Sequence, residues 1–167
     1  MMALVTLHPK LLSNIRSLIH VLFLLMLTTV KILVLLKTFI PFLKHSKADY
    51  YFFSDQDDIW LEDKLAVTLA EAQKYDSQKP LLVYTDLKIV DRDLNVLHES
   101  MIKTQSDHAN TELVQELTEN TVTGGTAMIN HVLAELWTST DDLLMHDWYL
   151  ALLASALGNL AYVDLPN

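Results

Sequence analysis

Cysteine is absent from this chain of 167 residues, and glycine and proline are scarce, with three and four copies. The absence of cysteine excludes disulfides and thiolate chemistry, which is consistent with a reducing compartment. The scarcity of glycine and proline excludes a long flexible linker. The length suits a single domain with a substantial core.

Acidic residues are missing from residues 1–47, and all 21 of them lie from Asp49 onward. This distribution predicts two parts, a basic and apolar segment over residues 1–46 and a domain over residues 47–167. The formal net charge of -9 argues against a nucleic-acid-binding surface, which would be basic. A nucleotide ligand is still compatible with that charge, because a metal ion can supply the positive charge.

The N-terminal segment has no turn chemistry before Pro41, so we expect residues 11–40 to be largely helical. An uncharged run from Ser17 to Val30 lies between Arg16 and Lys31. Three interpretations stay open: a membrane or interfacial helix, a buried core helix, and a segment foreign to the domain. A signal peptide is a further alternative, although no small-residue cleavage site follows. The basic flanks suit an anionic cytoplasmic leaflet, so we expect a cytoplasmic protein at the inner face of the cell membrane.

The most informative stretch is an aromatic run, Tyr50 to Phe53, that stops at Asp55, Asp57 and Asp58. A short apolar run without alternation predicts a buried strand, usually in a parallel sheet. The carboxylates then follow the carboxyl end of that strand, where ligands bind in open α/β sheets. Their oxygens suit Mg²⁺ or Mn²⁺ bound to a diphosphate. The alternative is that these acids only cap the next helix.

The rest of the domain alternates between short apolar runs and helical patterns, so we expect an α/β fold. A helix over 61–75 should pack Leu61, Leu65 and Leu69 on the sheet, and a strand over 81–84 should lie beside 50–53. A short helix over 111–117 should have Leu113, Val114 and Leu117 on one face. The remaining predicted elements are strands at 88–90, 95–97, 127–129 and 160–163 and helices at 130–137 and 146–156, the last ended by Gly158.

Four stretches together resemble one family. They are YFFSDQDDIWLEDKL at 51–65, LVYTDL at 82–87, VTGGTAMIN at 122–130 and MHDWYLAL at 145–152. Their order and spacing over residues 48–167 are similar to those of the family 2 glycosyltransferases, in particular the bacterial rhamnosyltransferase-like branch. One Asp-x-Asp pair is a weak signal, whereas four motifs in order are specific.

The resemblance implies a partial GT-A fold, the fold of nucleotide-diphospho-sugar transferases. It also implies a dTDP- or UDP-sugar donor, a glycan or lipid-linked acceptor, and Mg²⁺ or Mn²⁺. Asp55 would lie near the donor ribose or the metal, and Asp57 would ligate the metal. Gly124 and Gly125 would belong to the donor site, although a turn before a strand is their alternative role. Asp147 would be the base of an inverting displacement.

Three further residues have weaker assignments. His146 would contact the acceptor or orient its neighbour, and a structural histidine is an equal alternative. Trp148 would stack on a sugar or pack in the core. Asp86 follows the predicted strand 81–84, and it would either contact the acceptor or have a structural role. We expect Asp55, Asp57 and Asp147 to lie on one side of the sheet around one cavity, with a raised pKa on at least one carboxyl.

The chain also departs from the family pattern. Residues 1–47 contain no Asp-Asp-Gly-Ser-like motif for the nucleotide, and the chain ends soon after Pro166. We therefore expect a product truncated at both ends, with residues 1–33 frame-shifted or foreign. An inactive, membrane-associated remnant is the main alternative. A haloacid-dehalogenase-like phosphotransferase is disfavoured, because Ile59 stands where its motif has Thr or Val.

Overall fold

The structure is a computed structural model, and it describes residues 2–7, 43, 45–46, 48–138 and 145–166. The chain folds into a mixed α/β domain. Its regular elements in chain order are β1 (Met2–Leu7), β2 (Tyr50–Asp55), α1 (Lys64–Ala72), β3 (Leu81–Asp86), β4 (Ile89–Val90), β5 (Val96–His98), α2 (Ile102–Gln105), α3 (Leu113–Thr118), a 3₁₀ turn (Gly124–Thr126), β6 (Ala127–Asn130), α4 (His131–Leu136), α5 (His146–Leu157) and β7 (Asn159–Pro166).

Five strands form one mixed sheet in the order β1-β2-β6-β3-β7, and β4 pairs with β5 in a separate hairpin. Strand β6 runs antiparallel to both β2 and β3, whereas β3 and β7 are parallel. The prediction that strand 81–84 lies directly beside strand 50–53 was therefore wrong. The two strands are parallel to each other, but β6 lies between them and bonds to both.

Strand β2 is fully covered on both faces, which explains its unbroken apolar sequence in an antiparallel setting. Tyr51 and Phe53 pack with α4 and α5, and Phe52 packs with α1 on the opposite face. All three side chains are at most 1% exposed. The lack of alternation between apolar and polar residues thus correctly predicted burial of both faces of the strand. It did not predict whether the strand pairs in a parallel or an antiparallel sense.

Helix α1 is shorter than predicted and spans Lys64–Ala72. Leu65 and Leu69 are buried against the sheet as expected. Leu61 is 49% exposed, which corrects its assignment to the buried face. The reason is that the helix begins at Lys64, so Leu61 lies in the preceding loop.

Helix α3 reverses the predicted face of its segment. Val114 and Leu117 are 74% and 62% exposed, whereas Glu116 is fully buried. The Trp148 indole N–H of α5 donates to the Glu116 backbone carbonyl at 2.7 Å. Helix α3 therefore packs on α5 through the side that carries Glu116, and the two apolar side chains lie outside.

The other predicted elements are confirmed, with small shifts of their ends. The hairpin β4–β5 flanks the turn at Asp91, and β6, α4, α5 and β7 occur where they were expected. Asn130 caps α4 by accepting the Leu133 N–H at 3.0 Å. Gly158 ends α5, and a side chain there would collide with the Pro80 backbone carbonyl.

The N-terminal segment is described only in part. Met2–Leu7 forms strand β1, antiparallel to β2 at the edge of the sheet. Those residues are therefore extended, not helical, and the predicted helix over residues 11–40 lies outside the described residues. Within the part of the chain that the structure describes, no helix has the length and hydropathy needed to cross a membrane.

Candidate functional site

The acidic loop after β2 lies at one edge of the sheet. Asp55 is the last residue of the strand and is half-buried, while Asp57 and Asp58 are exposed in the turn that follows. Burial raises the pKa of Asp55, and the neighbouring Asp58 and Asp57 carboxylates raise it further. The expectation of a raised pKa in this cluster is thus met at Asp55.

A glycine pair contacts both this loop and the start of α5. Gly124 and Gly125 open a 3₁₀ turn just before β6, and both are buried. A side chain added at Gly125 would collide with the Asp58 carboxylate and would lie 3.3 Å from an Asp55 oxygen. Glycine at this position is required by the close approach of the acidic loop and not by an unusual backbone angle.

Asp147 contacts the same turn through Gly124. Its carboxylate accepts the Gly124 N–H at 3.1 Å and the Trp148 N–H at 2.8 Å. It lies in the first turn of α5, where the helix dipole favours a negative charge. Asp55 and Asp58 therefore lie close to Gly125 while Asp147 bonds to Gly124, so the acids of both segments meet at two consecutive residues.

His146 connects the two sets of acids electrostatically. Burial lowers its pKa, and the Asp147 and Asp55 carboxylates act in the opposite direction. Its ring stacks on Trp137 at 6.1 Å between centroids and contacts Phe53 at 5.6 Å. These packing contacts support the structural interpretation of His146.

Trp148 and Asp86 have structural contacts here. The Trp148 indole N–H donates a hydrogen bond to α3, as described above. Asp86 is 4% exposed, and its carboxylate accepts the N–H groups of Leu87, Met101 and Ile102 at 2.8 to 3.2 Å. The Ser100 hydroxyl also donates to Asp86. These bonds hold the segment leading into α2, which is the structural alternative for Asp86.

A cavity of about 520 Å³ lies next to the acidic loop. Its walls come from the β2–α1 loop, the start of α1, the β3–β4 segment, the β4–β5 turn and the glycine turn. The lining side chains with charge are Asp57, Asp58, Lys64, Lys88, Asp91 and Arg92. Asp57 is thus on the cavity wall, whereas Asp55 and Asp147 contact the glycine turn beside it. The three acids do not share one cavity wall.

The β4–β5 turn forms part of the cavity wall. The Asp91 carboxylate accepts the N–H groups of Asp93 and Asn95, each at 2.9 Å, and this fixes the turn. Leu94 has a φ of 63°, which is rare for a bulky residue. The turn in this way presents Leu94 and Arg92 to the cavity.

Lys64, the first residue of α1, is the functional candidate that sequence reasoning missed. It is 2% exposed, and its ammonium donates to the Gly125 carbonyl at 2.5 Å. The ammonium also lies 4.4 Å from the centre of the Trp60 ring. Burial lowers the pKa of Lys64 to about 8, against the opposing effects of Asp58 and Asp55. One signal was present, because Lys64 shares a helical face with Thr68 and Ala72 at four-residue spacing.

Glu116 is a second residue that the sequence did not single out. It is fully buried. Burial raises its pKa, hydrogen bonding from the Asn110 side chain and the Thr121 backbone lowers it, and the nearby Asp147 carboxylate raises it. A second carboxyl therefore contributes to the electrostatic environment of Asp147.

The acidic loop suits a metal ion only if a ligand supplies part of the coordination shell. Among the described residues, no three acidic or histidine side chains converge closely enough to hold an ion by themselves. Mg²⁺ is commonly bound by one or two carboxylates, with water and substrate phosphate completing the shell. Asp57, exposed on the cavity wall, suits that arrangement. The residues present fit an ion that arrives with a phosphate ligand, and not an ion held by the protein alone.

Comparisons with protein-family models, with curated proteins and with solved structures give no match for this chain. The functional assignment therefore depends on the motifs and on the geometry given above.

Proposed function

We propose that the chain is a metal-dependent glycosyltransferase with a partial GT-A fold. It would transfer a rhamnose-like sugar from a dTDP- or UDP-linked donor to a glycan or lipid-linked acceptor, with inversion. One observation carries the proposal: the Gly124–Gly125 turn contacts both the acidic loop after β2 and Asp147 of α5, and Gly125 lines a cavity. The four motifs that resemble family 2 glycosyltransferases supply these residues.

In this proposal Asp147 is the base. Its carboxylate takes the proton of an acceptor hydroxyl as that oxygen bonds to the anomeric carbon of the donor. The bond from that carbon to the diphosphate breaks, and the nucleoside diphosphate leaves with the electron pair. The Gly124 N–H holds the Asp147 carboxylate in place before the acceptor enters.

Asp57, with Asp55 next to it, would hold the divalent ion together with the donor phosphates. When bound, the ion offsets the charge that builds on the leaving diphosphate. Asp55 is half-buried beside Asp58, and its raised pKa is consistent with a carboxyl that is stabilised by an added cation.

The test combines binding and turnover. Calorimetric titration with UDP and dTDP, with and without Mn²⁺, should show binding that Mn²⁺ strengthens. Asp57→Ala should remove the Mn²⁺-dependent part, and Asp107→Ala, in an exposed loop, should leave it unchanged. Asp147→Asn should bind the nucleotide normally and stop sugar transfer, since the isosteric amide cannot accept the proton.

Two outcomes would count against the proposal. Absence of affinity for UDP and dTDP at saturating Mn²⁺ would favour the inactive remnant. Undiminished transfer by Asp147→Asn, measured as release of nucleoside diphosphate, would remove Asp147 from the chemistry.

A further inference from the structure

Lys64 carries a buried charge that no carboxylate pairs directly. It is 2% exposed, yet no carboxylate oxygen among the described residues lies within 4.0 Å of its ammonium. Its described contacts are the Gly125 carbonyl and the Trp60 ring. An ammonium has three N–H donors, so these two contacts do not use its full capacity. A buried charge without a direct counter-ion is costly to maintain.

Lys64 also lines a ligand-sized space. It belongs to the lining of the cavity of about 520 Å³, together with the cations Lys88 and Arg92 and the carboxylates of Asp57, Asp58 and Asp91. Lys88 is paired with Glu99 at 2.7 Å, whereas Arg92 has no ion pair among the described residues. Two cations without direct carboxylate partners therefore line one cavity.

Carboxylates around the ammonium help keep it protonated. The titratable groups that act on it are Asp58 and Asp55, both favouring the charged form against burial. Even with its pKa lowered to about 8, Lys64 is mostly protonated at pH 7. At neutral pH the cavity lining therefore includes a cation that has no carboxylate oxygen within 4.0 Å among the described residues.

We propose that the Lys64 ammonium binds a phosphate oxygen of the ligand directly, so that the cavity binds a diphosphate anion even without a divalent ion. The identification of that anion as the donor's diphosphate rests on the proposed function, whereas the anion site itself does not. Arg92 lines the same cavity and would also contact the anion.

The purely structural alternative is that Lys64 only tethers the Gly125 carbonyl and the glycine turn. That role predicts loss of stability or of turn geometry when Lys64 is replaced, but no response of Lys64 to an added anion. A measurement on the Lys64 side chain itself therefore distinguishes the two roles.

The experiment uses the full chain and inorganic pyrophosphate in the presence of EDTA. Calorimetry should show binding to the wild-type chain, and Lys64→Met should weaken it by about tenfold or more. Lys74→Met, at an exposed position just beyond α1, is the matched control and should bind as the wild type does. In a carbon-13 NMR titration of lysine side chains, saturating pyrophosphate should raise the pKa of Lys64 and leave that of Lys74 unchanged.

Undetectable pyrophosphate binding by the wild type in EDTA would overturn the anion site. Equal affinity in Lys64→Met, or an unmoved Lys64 pKa at saturation, would overturn it as well. If pyrophosphate binds through Lys64 but neither nucleotide binds nor sugar is transferred, the proposed function fails and the anion site stands. If Mn²⁺-dependent transfer occurs while Lys64→Met keeps its pyrophosphate affinity, the anion site fails and the function stands.

Discussion

Replacing Lys64 by methionine should change the stability of the fold in a direction that reverses with pH. Methionine keeps an unbranched side chain of similar length but removes the buried charge. The pKa of Lys64 falls from 10.5 to about 8 in the folded protein. That shift corresponds to a cost of about 3 kcal/mol for folding with a charged Lys64, at 1.36 kcal/mol for each pH unit. The variant is free of that cost.

The sign follows from proton binding. Between pH 8 and pH 10.5 the unfolded chain binds more protons at Lys64 than the folded chain, so wild-type stability rises with pH over that window. Below pH 8 the whole cost is present, and above pH 10.5 it disappears. Lys64→Met also loses the bond to the Gly125 carbonyl, which costs about 1 to 2 kcal/mol at every pH.

The variant should therefore be more stable than the wild type by roughly 1 to 2 kcal/mol at pH 7, and less stable by about 1 kcal/mol at pH 10. Urea unfolding of both proteins, followed by circular dichroism at several pH values, measures the difference. Tyrosines that titrate at high pH affect both proteins equally and cancel. Lys74→Met should give only a small difference, because Lys74 is exposed and its ion pair with Glu71 lies at the surface. A Lys64→Met difference that stays constant within about 0.5 kcal/mol from pH 7 to pH 10 would refute the buried-charge argument.

Three further substitutions test the packing around the site and the sheet. Gly125→Ala should displace the mobile Asp58 carboxylate and weaken nucleotide binding in calorimetry, with a change in unfolding free energy below about 1 kcal/mol. Gly158→Ala forces a methyl group against the rigid Pro80 backbone, so urea unfolding should show a loss of about 1 to 3 kcal/mol. Tyr84→Phe removes a buried hydroxyl that bonds to the Asn110 carbonyl at 2.7 Å and contacts a threonine hydroxyl, and thermal unfolding should show a loss of about 1 to 3 kcal/mol; an unchanged midpoint would contradict that bond.

Elements set by local sequence were predictable. The run at Tyr50–Phe53, the cap at Asn130 and the stop at Gly158 all depend on short-range patterns, and each lies where the pattern indicates. Acidic residues at the end of β2 and at the start of α5 could be named for the same reason.

Features set by distant contacts were not predictable. Strand β6 enters between β2 and β3 because of pairing over long separations, and no local signal encodes that order. Glu116 is buried where α3 packs on α5, and the Trp148 indole that donates to its backbone carbonyl lies 32 residues further along the chain. The importance of Lys64 emerges only when Gly125, 61 residues away, supplies its carbonyl. Helical spacing placed Lys64 on the buried face, but spacing alone does not identify the groups that its ammonium contacts there.

The position of β6 divides the domain into two interdependent halves. The loop between α2 and α3 is exposed at Asp107 and His108. A chain cut there leaves β2 and β3 in the first fragment without a shared backbone bond, because β6, the strand that joins them, belongs to the second fragment.

The acidic loop and Lys64 lie in the first fragment, and the glycine turn and Asp147 lie in the second. Insertion of β6 during reassembly would restore the sheet and bring these groups back together in one step. The topology therefore makes this domain a natural framework for fragment complementation, in which neither half contains the candidate site and joining the halves creates it.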